Sequence, residues 1–87
     1  MNKQYFIDKF TAIPDEQWTT GFFTDKEGRH CALGHCGAPS GYEWRALSEL
    51  VGRATQSCIS NINDGKDPNF QQLTPKARIL AALNSIP

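Results

Sequence analysis

The ten residues from Gly28 to Gly37, "GRHCALGHCG", hold two histidines, two cysteines and three glycines. Side chains of these types support three kinds of chemistry. The first is metal binding, because His30, Cys31, His35 and Cys36 are all zinc-ligand types. Neighbours on a helix point about 100° apart, so at most two of them, such as Cys31 and His35, converge on one ion from a single turn. Cys58 or Asp64 would have to complete the set, and no familiar ligand spacing links them to it. The sequence therefore predicts no metal and no cofactor.

The second chemistry is nucleophilic. Cys31 at a helix start could be activated there, with His35 one turn on as its base and Asn63 or Asp64 orienting the imidazole. No elbow motif of the G-x-S-x-G kind accompanies it. The run Cys31-Ala32-Leu33 also suits core packing, since free cysteine is among the most buried residue types. Cys31 and His35 are thus the catalytic candidates, but the balance favours a protein that binds over one that catalyses.

The third is a ligand cradle. Gly34 and Gly37 permit close backbone approach and could turn amides towards an anion. Arg29, His30, His35, Arg53 and Lys66 are candidate cations, Tyr42 and Trp44 offer faces for stacking a base, and Asn63 and Asp64 suit a ring edge or ribose. The expected ligand-binding set is Arg29, His35, Gly37, Trp44, Asn63, Asp64 and Lys66. The expected ligand is a small, anionic, nucleotide-derived molecule.

A DNA-reading alternative lies in the middle of the chain. From Leu47 to Lys66, "LSELVGRATQSCISNINDGK" resembles the helix-turn-helix of Cro and phage-repressor-like domains. That resemblance implies Gln56, Ser57, Ser60 and Asn61 at base edges and Lys66 at a phosphate. Gly52 to Ile59 is one residue longer than that family's turn. Nine basic and nine acidic residues give zero net charge, which also counts against a nucleic-acid partner.

The elements that must position these residues read as mostly α, a small α+β fold of four to five short helices with one short β-hairpin or strand. Asn2 caps a helix with the stripe Phe6, Ile7, Phe10 and Ile13, and Pro14 ends it. "TTGFFT" (Thr19 to Thr24) is rich in β-formers, and "DKEGR" follows as a turn. Ala32 and Leu33 favour helix, with Gly37 as a stop. Ser40 and Glu43 have capping-box spacing before a helix whose face is Leu47, Leu50, Val51 and Ala54. Thr55 caps a further helix with the stripe Cys58, Ile59 and Ile62, stopped by Gly65. Phe70 and Leu73 pin the next loop to the core. Thr74 as N-cap and Pro75 at the first position open the last helix, with Ile79, Leu80, Leu83 and Ile86 on one face.

Eighty-seven residues make one domain, at the small end of what folds alone. No apolar h-region follows Met1 and no apolar run approaches membrane-spanning length, so the chain reads as cytoplasmic, with no membrane partner and reduced thiols. Zero net charge does little to keep copies apart, and a homo-oligomer is expected.

Together "CALGHCG" (Cys31 to Gly37), "INDG" (Ile62 to Gly65) and "TPKARILAAL" (Thr74 to Leu83) resemble a family of small uncharacterised proteins encoded by phages and bacteria. The resemblance spans roughly residues 18–86. It transfers no activity to these positions. It implies an accessory protein that works by binding, either sequestering a nucleotide signal used in antiphage defence or blocking a host protein.

Overall fold

The computed structural model describes residues 1–87. Asn2 opens α1 (Lys3–Thr11), its side-chain oxygen accepting the Tyr5 amide at 3.0 Å. A 3-10 turn (Asp15–Gln17) and a long loop lead to α2 (Ala32–His35), then α3 (Glu43–Thr55), α4 (Ile59–Asn63) and α5 (Pro75–Asn84). Thr74 caps α5 by accepting the Ala77 amide at 3.1 Å, with Pro75 at the first helical position, where no donor is needed. The mostly α class expected from periodicity is the class that forms. No helix is long and apolar enough to cross a membrane.

Helix α5 packs against α1 and α4, and α2 packs against α3 and α4. Phe6, Phe10, Leu47, Val51, Ile59, Ile62, Ile79 and Leu83 are fully buried between them. Phe10 lies between two rings, with centroids 6.2 Å from Phe6 and 5.2 Å from Trp18. Burying such side chains is the main favourable term in a domain this small.

Four local expectations are corrected. The hairpin or strand over Thr19–Thr24 does not form. Only two isolated bridges occur, Trp18 with His30 and Thr24 with His30. The chain turns at Gly21, with φ at +81°, and the Thr19 carbonyl and Gly21 amide bond to Asn63 and Asp64 side chains rather than to a neighbouring strand. The Ser40–Glu43 capping box is absent. Tyr42 is the N-cap without a side-chain bond, and the Glu43 carboxylate instead takes Tyr5 Oη (2.9 Å) and Lys9 Nζ. Thr55 ends α3 rather than capping α4, its hydroxyl donating back to the Val51 carbonyl at 2.7 Å. Leu73 is 98% exposed, and Phe70 alone packs its loop onto the core.

One buried polar pair connects the helices. Asn63, 1% exposed, accepts the Ala32 amide through Oδ1 (3.0 Å) and donates through Nδ2 to the Thr19 carbonyl and Asp64 Oδ1 (both 3.0 Å). Arg78 of α5 donates to the carbonyls of Ile62 (3.2 Å), Asn63 (2.7 Å) and Gln72 (2.8 Å). The Lys66 and Gly65 amides already take the Asn61 and Ile62 carbonyls, and the guanidinium adds a second donor to Ile62 and takes the Asn63 carbonyl at the helix end. Gly65 leaves the space for it, because an added Cβ there would meet Arg78 Cζ at 3.3 Å. Replacing Asn63 with Ala strands the Ala32 donor and the Thr19 acceptor. Chemical denaturation should show a loss of about 2–4 kcal/mol, a large share of the roughly 5–15 kcal/mol typical of a domain.

Candidate functional site

The Asn63 bonds determine where the loop between the 3-10 turn and α2 can lie. Asn63 holds the loop at Thr19, and the next residue, Asp64, holds it two positions later by accepting the Gly21 amide at 3.1 Å. At the loop's other limb the Phe23 carbonyl accepts the Cys31 amide at 3.3 Å. Gly34 makes that approach possible. A Cβ on it would sit 1.9 Å from the Phe23 carbonyl oxygen.

Between the loop and the α2 and α4 helices lies a groove of about 340 Å³. Cys31, Ala32 and Leu33 line one side, Phe22 and Phe23 come from the loop, and Ser60, Asn63 and Asp64 come from α4 and its end. That volume lies at the lower end of small-ligand sites. The groove is mainly apolar, and Asp64 is its single charged side chain. Both hydrogen bonds to Asp64 fall on Oδ1, so Oδ2 is free to accept from a ligand. Asn63 has no such freedom, since its amide is fully engaged with the backbone and Asp64.

A second depression, of about 380 Å³, adjoins the groove across Phe22 and is lined by Thr24, Asp25, Lys26, Glu27 and Arg29 among others. Here Arg29 is held by Asp25 (Nε to Oδ2, 2.7 Å) and approaches Glu27 at 3.6 Å.

Of the seven expected ligand-binding residues, the structure brings Asn63 and Asp64 into the groove, beside Cys31. The others lie elsewhere. Arg29 lines the second depression, Lys66 is exposed on the turn after α4, and Gly37 is exposed beyond α2 with φ at +89°. Trp44 sits half-buried on α3 with the Arg45 guanidinium 5.2 Å above its ring. Nor do the glycine amides face an anion, because Gly34 donates to Cys31 Sγ (3.4 Å) and Gly37 to the Gly34 carbonyl (3.0 Å).

His35 is packed against Trp18 (ring centroids 4.7 Å) and His30 (5.1 Å), and its Nε2 is buried without a partner. It does not pair with Cys31. Burial, with the neighbouring His30 adding to it, pushes the His35 pKa down to about 4. Burial also raises the Cys31 thiol above its ordinary value, against the amides of Gly34 and Leu33 that favour the thiolate. With four residues, α2 has little dipole to oppose that. Cys36 is likewise pushed up, to about 12, by burial and by the Glu43 carboxylate. No three His, Cys, Asp or Glu side chains gather where they could hold a metal ion. In the helix-turn-helix comparison, α4 would be the reading helix, yet it has five residues and buries Ile59, Ile62 and Asn63.

Gly21, Phe22 and Phe23 line the groove without having been singled out in the sequence, and Ser60, named there only for a DNA-reading role, lines it too. The legible signal was an aromatic pair next to a glycine in a short polar segment, which the strand reading had absorbed. Comparison with protein-family models, with curated proteins and with solved structures gave no match.

Two outcomes follow from this geometry. An NMR titration of His35 should give a midpoint near pH 4, against about 6.5 when unfolded. Between those values the unfolded chain binds more protons, so stability is complete above about pH 6.5 and declines as pH falls towards 4. His35→Phe should remove that part of the slope. Gly34→Ala should displace Phe23, seen as faster hydrogen exchange at the Cys31 amide and a lower midpoint of thermal unfolding.

Proposed function

We propose that the protein binds a small nucleotide-derived ligand and holds it unchanged, with the groove taking the base. The observation carrying this reading is the pairing of an apolar, ring-sized groove with the free Oδ2 of Asp64. Phe22 and Phe23 provide faces for a flat heteroaromatic ring, and Oδ2 is an acceptor for an exocyclic amine. The anionic end of such a ligand would cross Phe22 into the second depression. There Lys26 has no ion-pair partner, while Arg29 is shared with Asp25 and Glu27.

Binding without turnover is supported by the absence of an activated nucleophile. The Cys31 thiol stays protonated at neutral pH and has no base within bonding reach. Sequestering a nucleotide signal of the kind used in antiphage defence is the role that the family resemblance implies. The exposure of Phe22 (66%) and Phe23 (43%) supports a second reading, in which a host protein covers the same aromatic rim.

Thermal-shift and calorimetric titration with nucleosides, mononucleotides and cyclic dinucleotides separates the two. A ligand at a hundred times its Kd adds about 2.7 kcal/mol, or about 15 °C for a domain of this size. Asp64→Ala should abolish the shift, and the ligand should be recovered intact after denaturation. If no nucleotide shifts the transition and one host protein is captured in a Phe22-dependent way, the protein-blocking role replaces ligand binding. Consumption of the ligand would make the protein an enzyme and overturn the proposal.

A further inference from the structure

We propose that the carboxylate of Asp64 makes the groove selective for guanine over the other bases, an inference that rests on the nucleotide-binding reading of the same groove. A carboxylate offers about four acceptor positions, two on each oxygen, and no donor. On Oδ1 both are filled, by the Gly21 amide at 3.1 Å and by Asn63 Nδ2 at 3.0 Å. These bonds hold the carboxylate with Oδ1 towards the chain, and both positions on Oδ2 stay open. No lysine, arginine or histidine lines the groove, and Asp64 forms no ion pair. The group that fills Oδ2 must therefore come from the ligand, and it must donate.

The bases differ in how many donors they present side by side. Guanine carries a ring N–H and an exocyclic amine on adjacent atoms of one edge, so both donate towards a single oxygen. The amine of adenine is flanked on both sides by ring-nitrogen lone pairs, and that of cytosine by one on its pairing edge, so neither supplies a second donor. Uracil has one ring N–H between two carbonyl oxygens. Guanine alone fills both open positions on Oδ2. With the other bases a lone pair beside the single donor faces a negative oxygen, and the apolar walls of the groove leave little water to screen it. The remaining polar side chains of the groove discriminate less. The Ser60 hydroxyl both donates and accepts, the Cys31 thiol is a weak partner of either kind, and the Asn63 amide is engaged within the chain.

The test is calorimetric titration of the full chain with the monophosphates of guanosine, inosine, adenosine, cytidine and uridine. Guanosine monophosphate should bind most tightly. Inosine monophosphate lacks only the exocyclic amine and should bind about tenfold more weakly, and the other three about a hundredfold. In Asp64→Asn the amide carbonyl must keep both chain donors, since an NH2 group in its place would oppose the Gly21 and Asn63 N–H groups. The new NH2 then takes the position of Oδ2 and turns a donor towards the ring edge. That variant should lose guanosine monophosphate and prefer xanthosine monophosphate, whose carbonyl oxygen replaces the amine. Inosine or adenosine monophosphate binding as tightly as guanosine monophosphate overturns the guanine assignment while nucleotide binding stands, and needs no variant to fold. An Asp64→Asn chain that keeps the guanine preference overturns it as well. If no nucleotide binds, the nucleotide reading falls and the base assignment with it.

Discussion

A buried primary amide in a small apolar core must have its donors and acceptor satisfied, because an unmatched polar group costs about 1–3 kcal/mol where total stability is small. Asn63 meets this demand with the Ala32 amide, the Thr19 carbonyl and Asp64. Each partner belongs to a different part of the chain, so satisfying one side chain places the start of α2, the long loop and the end of α4 together. Arg78 completes the arrangement from α5 by taking the carbonyls at the end of α4. The segments Cys31–Gly37, Ile62–Gly65 and Thr74–Leu83 therefore meet through hydrogen bonds: Ala32 from the first, Ile62 and Asn63 from the second, Arg78 from the third.

The candidate site is a consequence of that arrangement. The loop is held at Thr19 and Gly21 from one side and at Phe23 from the other, leaving Phe22 exposed between them. Gly34 belongs to the same logic, since its missing Cβ lets the Phe23 carbonyl approach α2. The resulting groove is apolar with one acid. Cys31, Cys36 and His35, which suggested chemistry, lie in surroundings that favour their neutral forms: Cys31 and Cys36 with raised thiol pKa values, His35 with a lowered one. Burial penalises the charged form of either kind of group, and here it acts on all three.

Helix α1 and the last helix were legible because their caps are local. Asn2 bonds to an amide three residues on, and Thr74 does the same. The stripes of α3 and α4 were legible in part from helical period: Leu47, Val51, Ile59 and Ile62 are inside, whereas Ala54 near the end of α3 and Cys58 at the cap of α4 are exposed. Glu43 was misread because a capping box competes with tertiary partners that spacing does not show. Lys9 and Tyr5 lie more than thirty residues away and take the carboxylate instead. The strand expected at Thr19–Thr24 failed for a related reason. A strand needs a partner ladder, and this segment gives the Thr19 carbonyl and the Gly21 amide to side chains at the end of α4, leaving only isolated backbone bonds to His30 and Cys31. Asn63 and Asp64 were legible as hydrogen-bonding residues, although whether they would face a ligand or the chain's own backbone was not.

By itself the sequence determined the class of the fold, the starts of the first and last helices and most of the buried apolar positions, because those depend on neighbours within a turn or two of helix. Tertiary structure alone decided which polar residues are used internally and which remain available. Asn63 is consumed by the Ala32 and Thr19 backbone groups, and Asp64 takes the Gly21 amide and keeps one oxygen free. Hydrogen bonding saturates and desolvation depends on every surrounding atom. The chemistry of a side chain is therefore set by contacts distant in sequence, and "GRHCALGHCG" proves to be a packed wall of the groove, with its thiols and His35 held neutral.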